Sequence, residues 1–485
     1  MQNSMDYKEI RKHFDQIAPE YDLWKKKSSY YYSLLVELFT RFIPPGETVL
    51  DLGCGTGEIL NAVRPKVGIG IDFSDGMIKS ASRKFPRHQF FASMLEHLAM
   101  RRYSGYVIMA DVFDHVPDIW AVISELNRIL EEGSTVVIST INPLWDPILK
   151  VAEKMKLKMP EGPHNFVLSA DILNLLRIFD FSILEEGYVV FLPKRIPLIS
   201  DILNKLIPRI PFLKRLCVVQ YIVAKKAAAV KCADYSCSVI IPCYNEAGNI
   251  ERCIRSIKNV GSHTEVIFVD DGSLDGTSDA ARRLMPEFGH VKLISYSPNK
   301  GKGSAVRLGI EAAGADVVMI YDADLSVPAE ELLNFMLPLE NEKARFTNGT
   351  RMVYPMEDEA MRTLNLWGNK FFAFILSWLL GQRITDTLCG TKAFFKKDYS
   401  RMKIRGDKWG DFDFLLGAAE LGLKIVEVPI HYNRRRAGVS KMAPFKHSLL
   451  LLKICIRGFF EIKVSRWLSR IKQFFLGKGR TTVKA

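Results

Sequence analysis

Residues 317–327 read VVMIYDADLSV. An apolar run that stops at Asp322-Ala323-Asp324 suits a buried strand whose end presents two carboxylates, one residue apart, in a cleft. Paired oxygen ligands suit a hard divalent cation, and a cation holding a diphosphate would be a natural occupant. Taken alone, the same triplet also fits a solvated strand-end turn, so the neighbouring segments must decide. Residues 238–250, SVIIPCYNEAGNI, give an apolar strand, a proline and a polar loop opening a helix that carries Ile250, Ile254 and Ile257. Residues 265–277, EVIFVDDGSLDGT, end a second strand at Asp270-Asp271, with Asp275 or Thr277 able to cap the next helix. Residues 299–303, NKGKG, then open a helix running to Ala313. Three strands in turn finish in polar or acidic loops, which a parallel sheet gathers at its carboxyl edge.

The N-terminal half has its own centre. Residues 49–60, VLDLGCGTGEIL, pass from an apolar strand through Asp51 to Gly53, Gly55 and Gly57 and into a helix. Glycines at alternating positions let the backbone approach a ligand, and the helix start offers free N–H groups. Asp72 stands at the end of the next apolar strand, in GIGIDFSDGMI, where an acid can accept hydrogen bonds from ribose hydroxyls. Ahead of both, Phe14, Ile17, Tyr21, Trp24, Leu34, Leu35, Leu38 and Phe39 recur at helical spacing, which predicts a lid or antechamber over residues 1–45.

A chain of 485 residues with 48% hydrophobic content has ample material for two or three cores. Its formal charge of +13 is uneven: ten basic residues against Glu461 alone put +9 of it in residues 446–485. Eight cysteines without a CxxC pair argue against a zinc site or a disulfide scaffold and fit a reducing compartment. The polar start, MQNSMDYKEIRKHFDQ, is no signal peptide, and no apolar run reaches the roughly 18 residues that a membrane span needs. The expectation is a cytoplasmic protein, peripheral to a membrane.

A dinucleotide-binding Rossmann domain carries GxGxxG, whereas this loop is GxGxG preceded by Asp51, which favours S-adenosylmethionine over NAD. The segment resembles motif I of class I methyltransferases. YVIMADVFDHVPD at 106–118, LNRILEEGSTVVIST at 126–140 and the opening FDQIAPEYD are similar to further parts of that family, and the match extends over about residues 7–226. The resemblance implies that Asp51, Gly53, Gly55, Gly57 and Asp72 bind S-adenosylmethionine. Where many relatives have an acid for the adenine amine this chain has Phe91-Ala92-Ser93-Met94, which leaves Ser93 as the acceptor. His115 and His164 lie nearest the expected acceptor mouth. His115 suits a general base or a packing histidine. The insert 142–166 falls where acceptor specificity is usually set.

PCYNE, VDDGSLDGT, NKGKGSA and DADLS, in this order, resemble family 2 glycosyltransferases with a GT-A fold. NGTRM from Asn348, DTLCGTKAFF from Asp386, WGDFDFLLGAAELG from Trp409 and RRRAGVSKM from Arg434 are most similar to the polyprenyl-phosphate (dolichyl-phosphate) hexosyltransferases. The resemblance implies that Pro242, Tyr244, Glu246, Asp270, Asp271, Lys302 and Asp322 bind a nucleotide-sugar, and that Asp322 and Asp324 hold Mg2+ or Mn2+. A lipid phosphate acceptor is already a nucleophile and needs cations to place it: Arg351, Arg434, Arg435, Arg436 and Lys441 are candidates. A hydroxyl acceptor needs a base, for which Asp411 or Asp413 is the choice. Asp386 and Cys389 can equally serve to shape a turn.

Residues 364–380, LNLWGNKFFAFILSWLL, resemble an interfacial helix of that family and fit a buried domain helix almost as well. Between 445 and 475, apolar residues at helical spacing face lysines and arginines, the pattern of an amphipathic helix on an anionic membrane surface. Its aromatics lie on the apolar face, away from the basic one, which argues against nucleic acid. Related enzymes often carry transmembrane segments after the catalytic domain; their lack here counts against a lipid acceptor.

The expectation is therefore an α/β chain of two domains: a Rossmann-like class I methyltransferase over 1–226, a linker at 227–236 and a GT-A glycosyltransferase over 237–445. A basic amphipathic helical tail at 446–485 follows. The expected function is inverting transfer of a hexose from a nucleotide-sugar to a polyprenyl phosphate, with methylation of an unidentified acceptor in the same glycan or lipid pathway. Glycosylation of a hydroxyl acceptor on a glycan or lipid headgroup is the alternative, and a non-catalytic binding role for one domain is another.

Overall fold

A computed structural model describes residues 7–160, 162, 164–165, 167–355, 363–404, 411–433, 452–464 and 468. The chain divides into two compact units, residues 3–230 and 231–485.

The first unit is built on seven strands: β1 (Thr48–Leu52), β2 (Val67–Asp72), β3 (Gln89–Ala92), β4 (Tyr106–Ala110), β5 (Thr135–Ile141), β6 (Phe181–Val189) and β7 (Val219–Lys226), in the order β3-β2-β1-β4-β5-β7-β6. β1 to β5 are mutually parallel, and β7 is antiparallel to both β5 and β6. The central strands β1, β4 and β5 are buried without alternation: Val49, Leu50, Val107, Ile108, Val136 and Val137 are fully buried. Two helix starts carry side-chain caps. Ser74 Oγ accepts from Met77 N at 3.2 Å before Asp75–Lys84, and Asp118 Oδ1 accepts from Ala121 N at 3.0 Å before Ile119–Ile129.

The second unit has strands β8 (Cys237–Cys243), β9 (Thr264–Asp271), β10 (Val291–Tyr296), β11 (Val317–Ile320), β12 (Phe346–Thr350), β13 (Lys392–Phe395) and β14 (Ile425–Pro429), ordered β10-β9-β8-β11-β13-β12-β14. β8 to β11 are parallel; β13 runs against both β11 and β12, while β12 and β14 are parallel to each other. The carboxyl edge therefore collects the ends of β8, β9, β11, β12 and β14 together with the approach to β13. Phe346 and Phe394 stack in the core with centroids 5.2 Å apart.

Both folds match the α/β expectation. The beginning of the expected free tail differs. Ile454, Cys455 and Ile462 are buried among Leu376, Leu379 and Leu416, so residues 452–464 complete the core of the second unit. The apolar face that the spacing assigned to a membrane is here turned, in part, onto the helices Thr363–Leu380 and Asp411–Glu420. All eight cysteines are free thiols.

Candidate active sites

In the first unit β1 delivers Asp51 and β2 delivers Asp72 to the carboxyl edge, with the glycine loop between β1 and the helix Glu58–Ala62. Gly53 has φ +78°, and a Cβ there would collide with Val112 beyond β4, so only glycine serves. Asp72 fixes that loop: its Oδ2 accepts from Gly55 N and its Oδ1 from Ser74 N, both at 2.9 Å. Burial raises its pKa to about 6 against these hydrogen bonds. Asp51 is 1% exposed and its Oδ1 has no hydrogen-bond partner. Burial, with Asp72 beside it and Lys25 opposing, raises Asp51 to about 7. Ser93 is tied to the same place, its N–H donating to Asp72 O at 3.0 Å, while its hydroxyl bonds to Met94 O and His97 O at 3.2 Å.

The N-terminal helices close over this edge, as the sequence spacing led one to expect. Asp15 Oδ1 accepts from Ser74 Oγ at 2.6 Å and Gly76 N at 3.0 Å, and Asp22 accepts from Thr56 Oγ1 at 2.8 Å. The buried Lys25 ammonium lies 4.7 Å from the Tyr21 ring centre and 5.1 Å from that of Tyr32, and 4.0 Å from Glu58. Sequence reading missed Lys25, because Lys25-Lys26-Lys27 has the look of a solvated charge run. His115 packs edge-on to Phe14 at 5.0 Å and faces His164 at 6.4 Å, an aromatic cluster beneath the first helix. The buried loop, the orphaned Asp51 oxygen and the acids at two strand ends fit a cationic nucleoside such as S-adenosylmethionine.

In the second unit Asp322 and Asp324 follow β11. Asp324 is nearly buried and accepts from Ser326 N at 3.0 Å; Asp322 is one third exposed, with its Oδ1 2.7 Å from Lys302 Nζ. Any Cβ on Gly390 would strike both Asp322 and Lys302, so the turn before β13 walls this pair as closely as backbone can. Asp271 receives Tyr296 Oη at 2.8 Å, Lys300 N at 2.7 Å and Gly301 N at 2.8 Å, and so shapes the glycine-lysine turn. Asp270 accepts from Ser273 N at 2.9 Å and from Ser278 Oγ. Pro242 lies in β8, and Tyr244 and Glu246 lie on the loop after it, which Asp275 and Thr277 stitch to the Asp270 turn; Glu246 Oε2 accepts from Asn249 Nδ2 at 2.7 Å. These residues come together at one edge, and much of their hydrogen-bonding capacity builds it.

Two of the expected site residues are already paired within the fold. Arg351, expected to hold an acceptor phosphate, is 8% exposed and makes a two-pronged pair with fully buried Asp386, Nε to Oδ2 at 2.5 Å and Nη2 to Oδ1 at 2.7 Å. Burial alone would raise Asp386; Arg351 reverses this and holds the carboxyl below its usual range. Asp413, expected as a base, is 1% exposed and paired with Arg457 Nη2 at 3.0 Å, so its charge is committed to docking residues 452–464. Arg434, Arg435, Arg436 and Lys441 lie outside the described residues, as does the side chain of Asp411. Asn433, just before the arginines, donates its N–H to Ser326 O at 2.8 Å, beside Asp324.

Glu427 went unnoticed in the sequence because it stands in an ordinary strand, β14. It accepts from Thr385 N at 2.8 Å, Thr385 Oγ1 at 2.8 Å and Asp386 N at 3.1 Å, and burial raises it to about 7 against those bonds. His431 Nδ1 lies 2.6 Å from Glu331 and its ring stacks on Tyr354 at 3.9 Å, a second pair at the end of β14.

Residues 238–402 match the family model for glycosyl transferase family 2, and residues 23–186 match that for a methyltransferase domain. The UDP-N-acetylglucosamine--dolichyl-phosphate N-acetylglucosaminyltransferase of Methanococcus voltae is 30% identical over 247 residues, 46% of this chain and 98% of that protein. This chain belongs to glycosyltransferase family 2. The human dolichyl-phosphate beta-glucosyltransferase is also 30% identical, over 43% of this chain and 70% of its own length. Among solved structures, a Haloferax volcanii methyltransferase in complex with its Trm112 activator is 19% identical, with a TM-score of 0.35, covering 44% of this chain and 97% of that one. The chain is thus a family 2 glycosyltransferase joined to a methyltransferase domain.

Arg351→Met should cost about 3–5 kcal/mol, because it strands a buried Asp386 charge, whereas Arg351→Met combined with Asp386→Leu should restore much of the loss. Calorimetric unfolding of the two variants checks this. Equal destabilisation of single and double variants would show that the pair is not the source of the cost.

Proposed function

We propose that the C-terminal unit transfers a hexose, with inversion, from a nucleotide-sugar to a polyprenyl phosphate, and that the N-terminal unit methylates an acceptor of the same glycan or lipid pathway. The observation that carries the transferase reading is the Asp322–Lys302 pair at 2.7 Å, an acid already balanced by a cation at the sheet edge, with Asp324 beside it. A divalent ion bound by Asp322 and Asp324 would neutralise the diphosphate leaving group. Mg2+ or Mn2+ held there would complete its oxygen ligands from the diphosphate and water. Lys302, displaced from Asp322, is then within reach of phosphate oxygens. Asp271 and Asp270 keep the loops on which Tyr244 and Glu246 meet the base and ribose.

A lipid phosphate oxygen attacks the anomeric carbon as the bond to the nucleoside diphosphate breaks, the electron pair leaving on the diphosphate. No general base is needed, which agrees with Asp413 being committed elsewhere. With Arg351 held by Asp386, the cations for the acceptor phosphate fall to the run Arg434–Arg436 and Lys441. Both relatives described above carry dolichyl phosphate in their names, and this favours the lipid phosphate over a hydroxyl acceptor.

Membrane contact belongs to the same reading. Phe371, Phe374 and Trp378 are exposed on the helix Thr363–Leu380, next to exposed Phe459 and Phe460, with Trp378 stacked on Phe459 at 5.9 Å. Among the described residues no helix is long and apolar enough to cross a membrane. In the methyltransferase unit, Asp51, Asp72 and the glycine loop hold S-adenosylmethionine, and Ser93 accepts from the adenine.

Asp324→Asn should reduce sugar transfer to background while leaving S-adenosylmethionine binding unchanged by calorimetry; full transfer by that variant would remove Asp324 from the metal site. The raised pKa of Asp51 adds a second test. Below about pH 7 this acid keeps its proton, and a sulfonium ligand favours the ionised form, so affinity for S-adenosylmethionine should fall as the pH drops from 8 to 6. Lys25, Asp72 and Glu58 face the same space. Asp51→Asn should flatten that profile, and a flat profile in the unaltered protein would contradict the assignment.

A further inference from the structure

Residues 190–218 of the first unit join β6 to β7. Val189 pairs with Val219, and Val219 pairs with Ile141 at the end of β5, so this connection springs from the edge that carries Asp51 and Asp72. It holds the short helix Ile199–Leu206 and the turns Ile207–Arg209 and Leu213–Leu216, cut by four prolines at 193, 197, 208 and 211. The backbone is anchored: Asn204 Oδ1 accepts from Phe191 N at 2.7 Å and Leu192 N at 2.8 Å, and Tyr30 Oη donates to Asp201 at 2.9 Å. The side chains it presents are apolar and stand in solvent. Leu198 is 78% exposed, Phe212 86%, and Ile199, Ile202 and Leu206 are each more than half exposed.

A neighbouring segment continues the surface. After β5, Leu144, Ile148 and Met155 are likewise more than half exposed. Trp145 Nε1 donates to Leu216 O at 2.9 Å, and Asn142 Nδ2 donates to Arg215 O at 2.8 Å, which fastens the two segments together. Basic side chains are threaded through the longer one: Lys194, Arg195, Lys205, Arg209, Lys214 and Arg215, with Asp201 as its sole acid.

An apolar patch of this extent on a soluble surface needs a cover. Protein interfaces are depleted of lysine and gather their apolar groups into a closed core. Here lysine and arginine alternate with leucine, isoleucine and phenylalanine along one connection, so the apolar groups can enter acyl chains while the cations stay at lipid phosphates. We propose that residues 190–218, with 143–157, dock the methyltransferase unit on an anionic lipid bilayer. Residues 190–218 belong to the first unit, whereas residues 452–464 and the aromatic helix belong to the second. Its further consequence, a methyl acceptor drawn from the bilayer, rests on the methyltransferase reading; the docking itself does not.

Hydrogen exchange of the full-length protein, followed by mass spectrometry with phosphatidylcholine vesicles and with vesicles containing phosphatidylglycerol, tests it. Peptides from 196–216 should exchange more slowly with the anionic vesicles alone, and the doubly substituted chain Leu198→Ser, Phe212→Ser should lose that protection. Lys205→Gln and Arg209→Gln should each weaken vesicle binding about fivefold at low salt. Vesicle binding that leaves exchange in 196–216 unchanged would overturn the proposal, placing the membrane contact elsewhere. Protection already present without vesicles would overturn it too, with light scattering then distinguishing a second copy of the chain from cover by its own other half.

Discussion

The carboxyl edge of the second unit depends on one buried ion pair. Arg351 leaves the end of β12 and Asp386 stands in the turn before β13, two antiparallel neighbours whose ends would otherwise carry separate loops. Joining them by two hydrogen bonds fixes the turn 386–391, and that turn brings Gly390 against Asp322 and Lys302. Glu427, from β14, holds the backbone of Thr385 and Asp386 from the other side. Asn369 does the same from the helix Thr363–Leu380, accepting from Thr387 N at 3.1 Å. Three elements thus converge on this turn, which sets the wall of the place where the chemistry is proposed.

The first unit solves a similar problem with fewer charges. Asp72 spends both oxygens on backbone N–H groups to hold the glycine loop, and Asp51 is left with an unpartnered oxygen in a buried site. Burying a lone carboxylate is costly, and its raised pKa registers that cost. The N-terminal helices answer it in part by bringing Lys25 between two tyrosine rings. One unit thus leaves a buried acid with an unpartnered oxygen, while the other pairs its strand-end acid with Lys302.

What was legible in the sequence is what is local. Strand-end acids, glycine loops and their order along the chain state their own placement, since a parallel sheet collects strand ends at one edge whatever the rest does. Ion pairs between distant segments are not written in any one of them. Arg351 and Asp386 are 35 residues apart, and each alone has the look of a ligand-binding or turn residue. Asp413 gave no sign that Arg457 would claim it, because the residues around Arg457 have an amphipathic period that suits a membrane as well as a core. Glu427 lies in a buried strand and carries no motif. In the segment 190–218 the exposure of Leu198, Ile199, Ile202 and Phe212 depends on how distant anchors hold the backbone, which no local pattern states.

The proposed reaction moves sugar from a nucleotide to a lipid phosphate at the edge bearing Asp322 and Asp324. Its most direct test is incubation of the full chain with a panel of nucleotide-sugars and polyprenyl phosphate, with and without Mn2+, followed by mass spectrometry of the lipid. A single hexose joined to the lipid phosphate, formed from one donor and dependent on the metal, is the expected product. Sugar appearing on hydroxyl acceptors while polyprenyl phosphate stays unmodified would contradict it.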